Sequence, residues 1–446
     1  MKREIAVIIT GLILSLGAAS AQGECFGVLA GRAVTADGSV LLGHNEDDGG
    51  EQMVNIYSTT RMGENARYLW VELPGMEVAD AFLNEYGVSV ASDNCPSRED
   101  SGILTDGGVL YEVRLEVARK ARTAREGVKI IGEMVERYGY RGSGRTYLIA
   151  DTNEGWLVSV VCGKHWVAQR VPDDAVALIS NFYVIDGVDL TDTDNFDGSP
   201  DLIQYAVERG WYDPIKEGKF SFRRAYASES SVKSTHNRRR LASALRHLTG
   251  RDYGENPDKF PVFVRPESEK MGVKEVIEVL TLHAGPGGIT EEHGDRGCIC
   301  NDNTVVSTIF QLRGDMPLET GCVMWTALGH PCAEPYIPWY LGAGSAPKGF
   351  GRFSDWRKAE DRHLSDAGNL RLNHPKGVYW KVVDRWDSAT PQQRLQRRDK
   401  VAEFQQLLFN TQPVFENECK PLSGKKLSKR ISRYIESCYK ASEKIF

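Results

Sequence analysis

Nothing in this chain divides it. Across 446 residues there is no Pro/Gly/Ser-rich linker, no low-complexity tract and no internal repeat, which excludes a tethered string of modules and a repeat array. A basic stripe is also missing. Net charge is −6, and the cluster Arg238-Arg239-Arg240 is local, so nucleic acid is excluded as a partner. The apolar run at 5–16 is too short to span a bilayer, which argues against a transmembrane anchor. Paired CxxC units, a GxSxG elbow, an HExxH helix and a P-loop are all absent. No cofactor and no metal is therefore expected. At 41% hydrophobic and 26% charged, the composition suits one large globular domain, with residues 411–446 as a helical extension.

What is present begins at the N-terminus. Lys2 and Arg3, the apolar run, and Ala19-Ser20-Ala21 read as a secretory signal over 1–21, so the protein is expected to be secreted or periplasmic. Cutting after Ala21 leaves only Gln22-Gly23-Glu24 before Cys25. Loss of those three residues makes Cys25 the first residue, with a thiol and a free α-amine together: a nucleophile and a base on one residue. The plainer alternative is that Cys25 is half of a disulfide. The chain has nine cysteines, an odd count that points to one unpaired thiol. If that thiol is Cys25, eight remain for up to four bridges, with Cys419 and Cys438 a plausible local pair. His293, near Cys298 and Cys300, reads as part of a polar loop with a disulfide rather than a metal site. The aspartates between 186 and 201 lack EF-hand spacing and read as a solvated loop.

Alternating apolar patterns predict strands at 26–33 and 40–43, joined by a tight turn at Thr35-Ala36-Asp37-Gly38. Further strands are expected at 54–59, 68–73, 81–83, 88–91, 145–150, 155–161, 164–170, 175–180, 304–311 and 321–327. Helical spacing appears at 108–121, 124–138, 238–248, 273–282, 400–408 and 427–443. The first hairpin brings Gly43-His44-Asn45-Glu46-Asp47 back beside Cys25, where Asp47 can hold the α-ammonium and orient the thiol. Asn94 and Asn181 each follow an apolar strand. Either alone reads as a turn residue, but an amide N–H at such a place can donate to an oxyanion.

The run Glu24-Cys25-Phe26-Gly27-Val28-Leu29-Ala30-Gly31, then Ala36-Asp37-Gly38-Ser39 and His44-Asn45-Glu46-Asp47, resembles the start of the PepD-like dipeptidases. These are cysteine peptidases of the N-terminal nucleophile hydrolases, related to choloylglycine hydrolase and penicillin V acylase. The resemblance continues through 147–156, Asn181-Phe182-Tyr183, 305–311 and Trp325, Tyr336 and Pro338, covering most of 25–410. It implies an α+β fold, a four-layer αββα sandwich of two antiparallel sheets between helices. It also implies Cys25 as nucleophile, Asp47 as the acid at the amine, Asn94 on the oxyanion side and Asn181 as a second site asparagine. A site arginine falls within 238–240, and Arg238 is chosen. His44 stands where relatives carry arginine, and is assigned to substrate binding.

The implied activity is hydrolysis of short peptides through a thioester, after autocatalytic trimming. Two alternatives stand beside it. One is an N-acyl amide hydrolase acting on bile-salt or penicillin-type amides; the other is a non-catalytic secreted binding protein with Cys25 bridged. A homo-oligomer is compatible with every reading.

Overall fold

The turn that opens the fold is built locally. Asp37 Oδ1 accepts from the backbone N–H and hydroxyl of Ser39, at 3.1 and 2.6 Å, and Gly38 takes a left-handed φ of 71°. Strands Phe26–Ala30 and Val40–Asp47 therefore return antiparallel, with Gly27 opposite His44 and Phe26 opposite Asn45. The computed structural model describes residues 25–47, 55–59, 65–72, 81–98, 101–268, 270–285, 288–289, 293, 297–353 and 378–445. The expected signal at 1–21 and the short segment 22–24 lie outside them.

This hairpin is the middle of a seven-stranded antiparallel sheet. Val176–Ile179 flanks its first strand, and Thr304–Leu312 flanks its second. A nine-stranded sheet lies beneath it, antiparallel except where Gly351–Phe353 runs parallel to Asn55–Thr59 at one edge. The sheets approach closely near the hairpin. A Cβ on Gly27 would come within 2.9 Å of Leu148, and one on Gly155 within 2.9 Å of Leu29. Val28, Leu29, Leu42, Leu148, Leu157 and Ile309 are completely buried in this core, each contributing about 1.5–3 kcal/mol.

Helices cover both outer faces. Ala124–Tyr138 is capped by Thr123, whose hydroxyl accepts from the N–H of Glu126 at 3.1 Å. Its buried positions Gly127, Val128, Ile131, Gly132 and Val135 recur at helical spacing. Gly132 lies directly under Trp166, where a Cβ would overlap the ring. On the opposite face, Val276 and Leu280 of helix Val273–Leu280 press on Gly43. The architecture is helices, sheet, sheet, helices: a four-layer αββα sandwich. Among the described residues, no helix is long and apolar enough to cross a membrane.

The C-terminal segment departs from expectation. Helix Pro391–Cys419 runs unbroken through residue 410, so the boundary placed there falls inside it. Arg313 donates to both oxygens of Glu416, at 2.9 and 2.6 Å, and Tyr340 to the same carboxylate at 3.0 Å. The segment is thus part of the core. Periodicity caught only 400–408 because buried Gln405, Gln412 and Glu416 interrupt the apolar stripe. Helices Leu202–Glu208 and Val378–Ser388 also went unforeseen. All nine cysteines are thiols, including Cys419 and Cys438. The expected bridge between that pair is replaced by ring packing between their helices. Phe415 and Tyr434 stack 3.8 Å apart at 8°.

Candidate active site

Cys25 sits at the mouth of the central hairpin, immediately before strand Phe26–Ala30, and is buried. The returning strand carries His44, Asn45, Glu46 and Asp47 past it. Asn45 fastens this tip outward: its amide donates to the carbonyls of Leu280 at 2.9 Å and Ile299 at 3.3 Å. Asp47 is wholly buried. Its carboxylate accepts from Asn301 Nδ2 at 2.6 Å and from Thr304 Oγ1 at 2.5 Å. Thr304 is its cross-strand partner, so pairing of the two strands itself delivers one of these donors.

A buried arginine joins the parts. Helix Thr235–Thr249 starts at Ser234, whose side chain accepts from the N–H of Asn237 at 3.3 Å. The helix turns Asn237, Arg240, Leu241, Ala244 and Leu248 inward. Arg240 Nη1 donates to the Cys25 carbonyl at 3.1 Å and lies 3.5 Å from Asp47 Oδ2. Nη2 donates to Asn181 Oδ1 at 2.6 Å and to Asn237 Oδ1 at 3.3 Å. The choice of Arg238 is therefore corrected. Its guanidinium reaches the Glu255 carbonyl at 3.5 Å and the Thr235 hydroxyl at 3.4 Å, on the outward side of the same helix. Helical spacing could have distinguished them, because Arg240 is three residues on from buried Asn237 and four before buried Ala244.

Asn181 follows strand Val176–Ile179 and adopts φ = 52°, a left-handed conformation that Asn tolerates better than most residues. Its amide donates to the Asn94 carbonyl at 2.9 Å. Asn94 ends strand Ser89–Asn94 of the other sheet, and its Oδ1 accepts from Ser143 Oγ at 3.2 Å. The two asparagines thus meet across the sandwich, one through its side chain and the other through its backbone. Cys25, Asp47 and Asn181 all converge on Arg240, and Asn94 is tied in through Asn181.

His44 belongs to the same constellation. Its Nε2 lies 2.8 Å from Asp93 Oδ1, with neither side chain exposed to solvent. The thiol, imidazole and Glu46 carboxylate each place an atom within 4.8 Å of the others. Burial pushes the Cys25 thiol well above its ordinary range; nearby Glu46 adds to this, while His44 opposes it. Sequence reasoning missed Asp93, Asn237, Asn301 and Thr304. Asp93 faces the chain from the second sheet, and the others arrive from beyond residue 230, with no local signal linking them to Cys25.

Residues 100–362, more than half of the chain, match the family description Peptidase family C69. This chain belongs to that family. The C69 chain is a peptidase, an enzyme that cleaves peptide bonds. It is 26% identical over 356 residues to a probable dipeptidase of Latilactobacillus sakei, covering 72% of this chain and 74% of that one. It is 23% identical over 455 residues to dipeptidase A of Lactobacillus helveticus, covering 92% of each. Among solved structures it is similar to penicillin V acylase from Agrobacterium tumefaciens, at 13% identity and a TM-score of 0.35, covering 71% of this C69 chain and 86% of the acylase.

Proposed function

We propose that this C69 peptidase is an exported dipeptidase that works through Cys25 as its N-terminal residue. The observation that carries the reading is the buried network around that residue. Arg240 ties the Cys25 carbonyl to Asp47 and Asn181, and Asn181 in turn holds Asn94. A network that fixes the backbone of a residue next to a removable N-terminal segment suits catalysis by that residue's own amine. The signal-like sequence at 1–21 supports export.

In the mature enzyme the α-amine of Cys25, with an ordinary pKa near 8, takes the thiol proton. Asp47, itself held by donors from Asn301 and Thr304, accepts from the cationic amine and keeps it in place. The sulfur attacks the scissile carbonyl, and the Asn94 amide donates to the oxyanion. The carbon–nitrogen bond then breaks, the amine returns its proton to the leaving nitrogen, and a thioester remains. Water, activated by the same amine, cleaves the thioester.

Trimming uses the same sulfur on the Glu24 carbonyl. The α-nitrogen is still an amide at that stage and cannot serve as base. His44, within 4.8 Å of the thiol and oriented by Asp93, takes the proton instead and passes it to the departing nitrogen of Cys25. Water then releases the upstream segment from sulfur.

A panel of dipeptides assayed beside their N-acylated analogues tests the substrate. Turnover of unblocked dipeptides and rejection of the N-acylated forms is expected. Preference for the N-acyl amides would replace this reading with that of an acyl amide hydrolase.

A further inference from the structure

A second cluster of sulfur and imidazole takes no part in the chemistry above. His283, His293, Cys300 and Cys332 are all buried. One nitrogen or sulfur from each lies within 4.8 Å of the corresponding atom of every other. His293 Nε2 is 3.2 Å from Cys332 Sγ and 3.6 Å from Cys300 Sγ. Tetrahedral zinc, with Zn–S near 2.3 Å and Zn–N near 2.0–2.1 Å, sets nitrogen–sulfur edges of roughly 3.5 Å. The two measured edges bracket that value.

We propose that these four residues form a structural zinc site of the two-cysteine, two-histidine type. The surroundings are those of a metal centre. His293 Nδ1 lies 3.1 Å from Asp302 Oδ1, so a carboxylate fixes the ring and leaves Nε2 toward the sulfurs. Trp386 stacks on His293 at 4.8 Å and 15°. Cys300 and Cys332 share a small apolar cluster with Ala333, packed against Trp386. Arg398 Nη2 donates to His283 Nδ1 at 2.8 Å, so that ring carries its proton on Nε2. Metal binding at Nε2 shifts the proton to Nδ1 and breaks the bond from Arg398, and the thiols lose their protons as well.

Four protein ligands close the coordination shell, which is the pattern of a structural and not a catalytic zinc. The ligands also come from separate segments. His283 follows helix Val273–Leu280, His293 and Cys300 lie on the stretch before strand Thr304–Leu312, and Cys332 follows strand Cys322–Leu328. No local motif announces such a set, and the sequence around His293 alone reads as a polar loop. Asn301, which holds Asp47 at 2.6 Å, is the next residue after Cys300. A metal here anchors the segment that sets the active-site acid. The geometry stands independently of the role proposed for Cys25.

The test uses the full-length chain, purified under reducing conditions without added metal or chelator. Metal analysis should find about one zinc per chain. Stripped protein carrying Cys25→Ala, which removes the other sulfur-bearing cluster among the described residues, should take up one cobalt(II) with the thiolate charge-transfer bands of a tetrahedral site. Cys332→Ser and His293→Gln should each weaken zinc binding at least tenfold; two variants are used in case one fails to fold. Failure of fully reduced wild-type chain to bind zinc would overturn the proposal. So would undiminished binding by both variants, or a mass lower by two hydrogens mapping to a Cys300–Cys332 cross-link.

Discussion

Arg240 and Asp47 face each other at 3.5 Å, both completely shielded from water, and the arginine also donates to the Cys25 carbonyl at 3.1 Å. A buried ion pair contributes little net stability, because desolvation offsets much of the attraction. Breaking it is costly, since one charge stays buried alone. The pair is therefore better understood as a positioning device: it fixes Asp47 and the backbone of Cys25 relative to one another.

Arg240→Gln is expected to cost about 3–5 kcal/mol in urea unfolding and to abolish dipeptide turnover. Arg238→Ala, on the outward side of the same helix, should change stability by no more than about 1 kcal/mol and leave kcat/KM intact. Equal losses in the two variants would contradict the assignment of Arg240.

Asn181 permits a second separation, between chemistry and backbone. Asn181→Gly and Asn181→Ala both remove the bonds to the Asn94 carbonyl and to Arg240, so both should lower kcat/KM by at least about tenfold. Alanine must also occupy φ = 52°, which should make it about 1 kcal/mol less stable than the glycine variant. Thermal unfolding of the two proteins checks the difference, and identical midpoints would count against it.

Burial holds the thiol of Cys25 above its ordinary pKa, with Glu46 pushing the same way and His44 opposing. A raised pKa leaves less thiolate at neutrality. Alkylation of Cys25 in the untrimmed chain by iodoacetamide, followed by peptide mapping, should therefore keep accelerating from about pH 7 to 9 without a plateau. His44→Gln removes the lowering contact and should slow the reaction further at pH 7. A plateau below neutrality would show that the thiolate is already formed.

The C-terminal helices supply a fourth expectation. Ending the chain after residue 410 removes Glu416 and leaves the buried Arg313 without its carboxylate, a loss of about 3–5 kcal/mol from that pair alone. The truncated protein should be insoluble or unfolded by circular dichroism. A soluble, active product would restore the view of this segment as an appendage.

Much of the sandwich was legible because its strands are short, apolar and punctuated by turns whose chemistry is local, as at Asp37-Gly38. The hairpin placing His44–Asp47 beside Cys25 follows from that pattern alone. The donors that hold Asp47 were not legible. Asn301 and Thr304 reach it only because strand Thr304–Leu312 pairs with Val40–Asp47 across more than two hundred residues of chain, and no local period encodes such a pairing. Arg240 sits between these cases, since the helical stripe that turns it inward is visible in the sequence. His283, His293, Cys300 and Cys332 are the extreme case, a cluster assembled wholly by tertiary packing.

The central claim, that Cys25 acts only as the first residue of the mature chain, is tested most directly by intact mass. Wild-type protein purified in its active form should begin at Cys25. The Cys25→Ala chain should be folded and inactive, and should retain residues 22–24. An active wild-type enzyme still carrying Glu24 would contradict the account, and so would efficient removal of that segment from Cys25→Ala.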